Sequence, residues 1–340
     1  LSKPSSLKLI SKYISKEDRL EVNLNYKNFL RGKFLYGDKS SEGFVILGEG
    51  SYPLELVQNK FFVSGSLKRL DLSQYISFSS EYTLPLDKEL FFIKNLKVKE
   101  MQLGSMVLKE TVVDMERADE SFKFSLISEA LKGIVLFPDS TKQEISVGLD
   151  YLKLNDLDRS PEIFFRSVLK NIKVPVLFSV SRLEVDKKLF GSWKFNLSST
   201  QRQITFKDIE GNYGRWRVGK IGDKTNSRLT LNKNSKGWTT NLNTSLFSDS
   251  PNKAFDDLSL KVNFSSERIE LFPEISWKGF PQDFNIESFT GSLGFNFNKL
   301  LFEDIGEEQE ATSGVFQIIS IFNVTDTFEK LTNLNFDKFY

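Results

Sequence analysis

Proton transfer at neutral pH, thiolate attack and most protein metal centres draw on histidine or cysteine, and this chain of 340 residues contains neither. Without His it lacks the usual proton shuttle and the commonest metal ligand. Without Cys it lacks thiolate nucleophiles, thiolate zinc sites and disulfides, and its redox compartment stays open. Carboxylates remain. A glycosidase needs two of them flanking one cleft, and 45 Asp and Glu supply many pairs without singling out any. Asp304, Glu307, Glu308 and Glu310 fall in one short stretch, but their spacing matches no EF-hand loop and reads as a solvated acidic loop. Lys and Arg total 46, so the net charge of +1 gives no electrostatic case for nucleic acid. No catalytic residue, metal ligand or cofactor is expected.

What the residues do show is apolar alternation. Leu258, Leu260, Val262 and Phe264 alternate with Ser259, Lys261 and Asn263, and Phe122, Phe124 and Leu126 repeat the pattern. Trp193, Phe195 and Leu197 do so again, as do the shorter pairs Leu96 and Val98, Leu183 and Val185, Ile204 and Phe206, and Phe295 and Phe297. Residues two apart in an extended chain share one face, so each row is an apolar stripe on a strand. Such stripes line a lipid-binding groove or pack as the core of a closed sandwich; periodicity alone leaves both open.

The elements that would position these stripes are mostly strands. Phe supplies 32 residues while Ala occurs only at Ala118, Ala130, Ala254 and Ala311, which favours pleated surfaces over helical bundles. Asn95 to Leu108 (NLKVKEMQLGSMVL) and Arg182 to Phe195 (RLEVDKKLFGSWKF) align without gaps, and each reads as a strand, a polar turn and a second strand begun by Gly-Ser. A hairpin recurring at long spacing predicts a sheet assembled from like units. Short strands close together at Thr111 to Met115, Phe122 to Leu126, Gly133 to Phe137 and Ile145 to Leu154 predict an antiparallel meander. Short helices are expected at Pro4 to Glu17, at Pro161 to Ile172 behind the cap Ser160, at Thr312 to Phe322 and at Thr325 to Leu334. Trp277-Lys278-Gly279-Phe280-Pro281 reads as a turn braced by an aromatic residue. No apolar run approaches the ~18 residues of a membrane span. The chain begins at Leu1 without a leader, so any anchor or export signal is expected upstream.

Four stretches resemble the AsmA-like bridge proteins of the Gram-negative envelope, in their YhdP branch. FFVSGSLKRLDLSQY at Phe61 to Tyr75 is similar to that branch's strand and LDL segment, and the two Gly-Ser hairpins to its repeated strand pairs. ISWKGFPQDF at Ile275 to Phe284 is similar to its Trp-x-Gly-x-Pro motif. GSLGFNFNKLLFEDI from Gly291, followed by the segment Ser313 to Tyr340, is similar to its final strand, helix and strand, though the helix here is rich in Phe and Ile instead of Leu. The resemblance implies a mainly β protein: a long, twisted antiparallel sheet curled into an open apolar groove with a few short helices. It also implies a function, with phospholipids moving along the groove through the periplasm between inner and outer membranes, the chain being anchored in the inner membrane by a segment outside it. On this reading 1–60 begins the groove, 61–159 and 174–302 are two groove repeats, 160–173 is a helix, and 303–340 is a C-terminal acidic loop with helices and a truncated strand. The groove-lining residues expected are the stripes named above. Partners would be phospholipid acyl chains, the two membranes and envelope proteins at the ends.

The chemistry is coherent with that reading. Exposing each CH₂ of a roughly 16-carbon tail costs about 0.8 kcal/mol, so a bare tail in water costs roughly 12 kcal/mol and needs continuous apolar cover. About twenty strands at about 4.8 Å would give a groove on the order of 95 Å. Two other readings share the sheet: a structural envelope scaffold without cargo, and a carbohydrate-active or glycan-binding all-β protein. An outer-membrane barrel is disfavoured by the expected internal helices and by Lys338, which breaks the terminal alternation.

Overall fold

The computed structural model describes residues 7–71, 91–154, 174–257, 262 and 264–302, with short breaks at 17, 28, 39, 52–55, 104–105, 139–142, 201, 222–223, 226, 236 and 285–288. The expected helices at Pro161 to Ile172, Thr312 to Phe322 and Thr325 to Leu334, the acidic loop, Leu258 and Leu260 all lie outside these residues. The chain divides into two compact units, Leu1–Val180 and Ser181–Tyr340.

The first unit is a run of strands: β1 (Lys8–Ile14), β2 (Arg19–Tyr26), β3 (Leu30–Gly37), β4 (Ser41–Gly48), β5 (Phe61–Asp71), β6 (Phe91–Leu103), β7 (Met106–Ala118), β8 (Ser121–Ile127), β9 (Leu131–Pro138) and β10 (Ile145–Leu154). β11 (Val176–Val185) carries the chain into the second unit. Pairing is sequential. It is antiparallel from β1 to β4 and from β6 to β10.

Two joints differ from the antiparallel sheet that the resemblance implies, because β4 pairs with β5 and β5 with β6 in parallel, whereas the meander expected over Thr111 to Leu154 is antiparallel throughout. A parallel neighbour cannot be reached by a tight turn and needs a crossover of about a dozen residues. At the start of the connection to β5, Arg31 Nη2 donates to the Gly50 carbonyl at 2.7 Å, and Arg31, the register partner of Ile46, belongs to the polar face. Phe44 and Ile46 are apolar exceptions on that polar face, and both are buried.

The segment read as an N-terminal helix is strand β1, paired residue for residue with β2 from Lys8↔Asn25 to Ile14↔Arg19. Its apolar residues satisfy both periods; Leu9, Ser11 and Tyr13 share a face with Leu24, Val22 and Leu20, and cross-strand pairing decides the outcome.

In the second unit β12 (Lys188–Ser199), β13 (Gln203–Tyr213), β14 (Trp216–Val218), β17 (Arg228–Asn234), β18 (Gly237–Asn243), β19 (Leu246–Ser248), β21 (Arg268–Lys278) and β22 (Thr290–Asn298) form an antiparallel array. Two small pairs stand beside it, β15 (Lys220–Ile221) with β16 (Lys224–Thr225), and β20 (Phe264–Ser265) with β23 (Leu301–Phe302). One helix, α1 (Pro251–Asp257), was not anticipated. The cleanest alternation of the sequence, Leu258 to Phe264, is not a groove strand over its described residues: Val262 has no strand conformation, and only Phe264 and Ser265 make the short β20.

The two Gly-Ser hairpins are not equivalent in space. Gly104 and Ser105 fall between β6 and β7, whereas Gly191 and Ser192 lie inside β12, whose turn is made by Asp186 and Lys187 at φ 47 and 66. Gly191 sits at φ 76, and a Cβ there would come within 2.0 Å of Asn212 Oδ1, the atom that accepts the Ser192 N–H at 2.8 Å. The glycine takes a left-handed conformation inside a continuous strand, not at a strand start.

Candidate hydrocarbon-binding face

Each unit presents one apolar face that register carries from strand to strand. In the first unit Val22 pairs with Phe34, Phe34 with Gly43, Gly43 with Phe61 and Phe61 with Phe91. Rings along this row touch: Phe34 and Phe61 lie 6.1 Å apart between centroids, Phe61 and Phe91 5.3 Å, within the range of favourable aromatic pairs. A second row runs Ile93, Met115, Phe124, Val135, Val147, and a third Leu96, Val113, Leu126, Gly133, Leu149. Phe122 pairs with Arg117 and Phe137, and the Arg117 guanidinium stacks on its ring at 5.2 Å.

The first unit therefore places Leu96, Val98, Phe122, Phe124 and Leu126 on one face. Burial is graded along it. Leu96 and Val98 are 4% and 1% exposed, with their partners Val113 and Thr111 also buried, whereas Phe122, Phe124 and Leu126 are half-buried. The other face carries Lys97, Asp114, Glu116, Lys123 and Lys132, with Ile127 and Ile134 as exposed apolar exceptions.

In the second unit Leu197 pairs with Phe206, Phe206 with Leu229, Leu229 with Leu242 and Leu242 with Ile275. Two residues along, Ser199, Ile204, Leu231, Thr240 and Trp277 follow one another in the same way. Trp193 shares this face through Gly211, and Phe195 lies between Trp193 and Leu197 in alternation, its ring edge-on to Phe206 at 5.2 Å. Phe295 and Phe297 join it opposite Leu271 and Ile269. Seven of the residues picked from the sequence thus share one face. Lys194, Lys207, Arg228, Asn241 and Glu274 occupy the other. Leu183 and Val185 are half-buried on the side of β11 away from the Arg182–Glu184 ion pair.

Two pieces of chain close on the second unit's face. At one place α1 and β20 pack against it, with Ala254, Phe255 and Phe264 buried among Trp216, Ile269 and Leu271, and with Val262, Phe295 and Phe297 partly buried alongside. Val262 and Phe264, expected to line a groove, instead cover the face. At another, the Trp277–Pro281 corner folds as anticipated: Gly279 takes φ 99, Trp277 Nε1 donates to the Phe280 carbonyl at 2.8 Å, and the Phe280 N–H donates to Asp283 Oδ2 at 2.7 Å. Trp277 also meets Phe284 edge-on at 5.1 Å.

A hydrogen bond from Asn23 at 2.8 Å, with Lys33 at 3.0 Å, pulls the Glu21 carboxyl below the ordinary value, and both partners sit on the polar face of β2 and β3. The Tyr13 hydroxyl donates to Asp18, whose carboxylate raises the phenol's pKa. Among the described residues no three acidic side chains converge on a metal-sized site, and no helix is long and apolar enough to cross a membrane.

Sequence reasoning missed Val22, Phe34, Val45, Val63 and Ile93 as members of the face. Their alternation is short and broken by glycines such as Gly32 and Gly43, and only register connects it. A family model described as the YhdP protein matches residues 2–339. The chain belongs to the YhdP protein family. The kinship read from its motifs therefore extends over nearly the whole sequence, first strands included. No curated protein and no solved structure matches this YhdP-family chain. Membership sets it among the AsmA-like bridge proteins, a family tied to lipid transport, and the apolar faces are the part of it whose chemistry suits hydrocarbon.

Proposed function

We propose that the chain conducts phospholipids between the inner and outer membranes of a Gram-negative envelope, their acyl chains sliding along the apolar faces while headgroups stay in water. The observation that carries this reading is continuity: apolar residue follows apolar residue across successive strands, and the opposite face is polar. In the first unit the start of the β4–β5 connection is tied to the polar side, where Arg31 holds the Gly50 carbonyl. A tail moving from one row to the next exchanges one apolar surface for another, so the roughly 12 kcal/mol cost of exposure is never incurred in full. Half-burial suits sliding. A fully buried row has no free surface, while a row such as Phe122, Phe124 and Leu126 keeps surface that a tail can cover. The chain would work in the periplasm, held at the inner membrane by a segment outside it and meeting envelope proteins at its ends. It needs no cofactor and catalyses no reaction.

Transfer of a fluorescent phospholipid between donor and acceptor vesicles tests the proposal. Phe124→Asp and Phe206→Asp place a charge on the apolar faces and are expected to cut protein-dependent transfer at least tenfold. Ile127→Asp and Phe272→Asp place the same charge on the polar faces and are expected to leave it within twofold. Equal loss from both pairs, or none from either, contradicts the conduit and favours a scaffold.

A further inference from the structure

Part of the second unit's apolar face is roofed by the chain itself. Phe255 of α1 meets Trp216 edge-on at 5.3 Å and Phe264 at 5.8 Å, and Phe264 in turn meets Phe297 at 5.4 Å. Beneath lie Ile269 and Leu271, the register partners of Phe297 and Phe295, so the covered surface is a direct continuation of the exposed one. We propose that α1 is a displaceable lid over an acyl-chain site formed by Trp216, Ile269, Leu271, Phe295 and Phe297, and that a phospholipid tail competes with Phe255 for that surface. The proposal rests on the conduit reading and adds a gated position within it.

The way α1 is held favours displacement. Seven residues make two turns, well short of the length at which a helix persists alone, so α1 is helical because it is docked. Its first turn has no acid and its last no base; Asp256 and Asp257 stand at the C-terminal end, the wrong sign for the helix dipole. A few polar contacts fix it instead. Asp257 accepts from the Arg215 backbone N–H at 2.8 Å and pairs with Arg215 Nη1 at 2.7 Å, on the exposed side. Trp216 Nε1 donates to the Ala254 carbonyl at 2.8 Å, and Asn252 Nδ2 to the Phe264 carbonyl at 2.6 Å. Lifting α1 into water would strand Ala254 and Phe255. With a tail present the exchange is apolar for apolar, and a glycerolipid ester carbonyl can accept from the freed indole N–H. A lid that opens only when the ligand offers this compensation is a population shift driven by differential affinity.

The chain has no cysteine, so Arg215→Cys with Asp257→Cys introduces one thiol pair across the latch. Phosphatidylethanolamine and phosphatidylglycerol vesicles doped with a phospholipid carrying an acyl-chain diazirine are irradiated with the variant, and labelled peptides are mapped by mass spectrometry. Reduced protein should be labelled on β13 and on β21 and β22. Oxidation should lower the β21 and β22 label at least tenfold and leave β13 unchanged. If β13 is labelled but β21 and β22 are indifferent to oxidation, α1 is fixed core and the lid is wrong while the conduit stands. If β13 is never labelled, the conduit fails and takes the lid with it. Asp257→Ala, which removes the latch without a cross-link, should raise β21 and β22 labelling severalfold and speed amide exchange over 251–257; no change in either overturns the lid independently.

Discussion

Thr111 shows how the apolar face behaves at the scale of one residue. It is 0% exposed, its register partner is Val98, and its hydroxyl oxygen has no hydrogen-bond partner. A buried polar atom left unpaired costs about 1–3 kcal/mol, and valine has nearly the same shape. Thr111→Val should therefore raise unfolding free energy by about 1 kcal/mol in urea titrations; destabilisation would mean that the hydroxyl has a role there. Glu21 makes the complementary case on the polar face. Its native pKa is lowered from 4.5, first by the Asn23 hydrogen bond and then by Lys33. A depressed carboxylate contributes stability that is present above the unfolded value and lost as pH falls through the folded one. Asn23→Ala should thus destabilise the protein at pH 6 and converge with wild type as the pH falls below 4.5 and Glu21 is protonated. A gap that widens on acidification would contradict the assignment.

At the scale of elements, what the sequence disclosed depended on whether local pattern and long-range pairing agreed. The corner at Trp277 was legible because its determinants are local: a glycine at φ 99, a proline, and an indole that reaches the carbonyl three residues on. Trp277→Phe leaves the buried Phe280 carbonyl without that donor and should cost about 1–2 kcal/mol. Trp238→Phe is the internal control, since its buried Nε1 has no partner to lose and the two rings pack near the same Phe280. Urea midpoints that fall equally for both would show that ring packing, not the hydrogen bond, holds the corner. Where periods 2 and 3.6 coincide, as in β1, the residues alone suggested a helix and pairing with β2 decided otherwise. The Gly-Ser repeat misled for the opposite reason. In sequence one dipeptide falls between β6 and β7, while the other lies inside β12, where Asn212 on the neighbouring strand accepts the Ser192 N–H. The parallel joints β4–β5–β6 and the helix α1 leave no periodic signal, because crossover direction and tertiary docking are not written in alternation.

At the scale of the molecule the central claim is the sidedness of each unit. A strand with one apolar face can belong to a closed sandwich or to a groove, and the register chains distinguish the faces without saying what covers them. In the resting chain α1 covers part of the second unit's face. Elsewhere in the second unit Phe195 and Phe206 remain half-buried on a face continuous with it, and in the first unit Phe122 and Phe124 are half-buried on that unit's own apolar face. The near-neutral charge of +1 is in keeping with a protein whose cargo is recognised by apolar contact and not by long-range steering. The most direct measurement places a photo-crosslinking amino acid at adjacent positions in cells and analyses trapped lipid by mass spectrometry. Positions 126 and 206 face the apolar side, 127 and 207 the polar side. The account predicts phospholipid adducts at Leu126 and Phe206 and none at Ile127 and Lys207; adducts on both faces alike, or on neither, would contradict it.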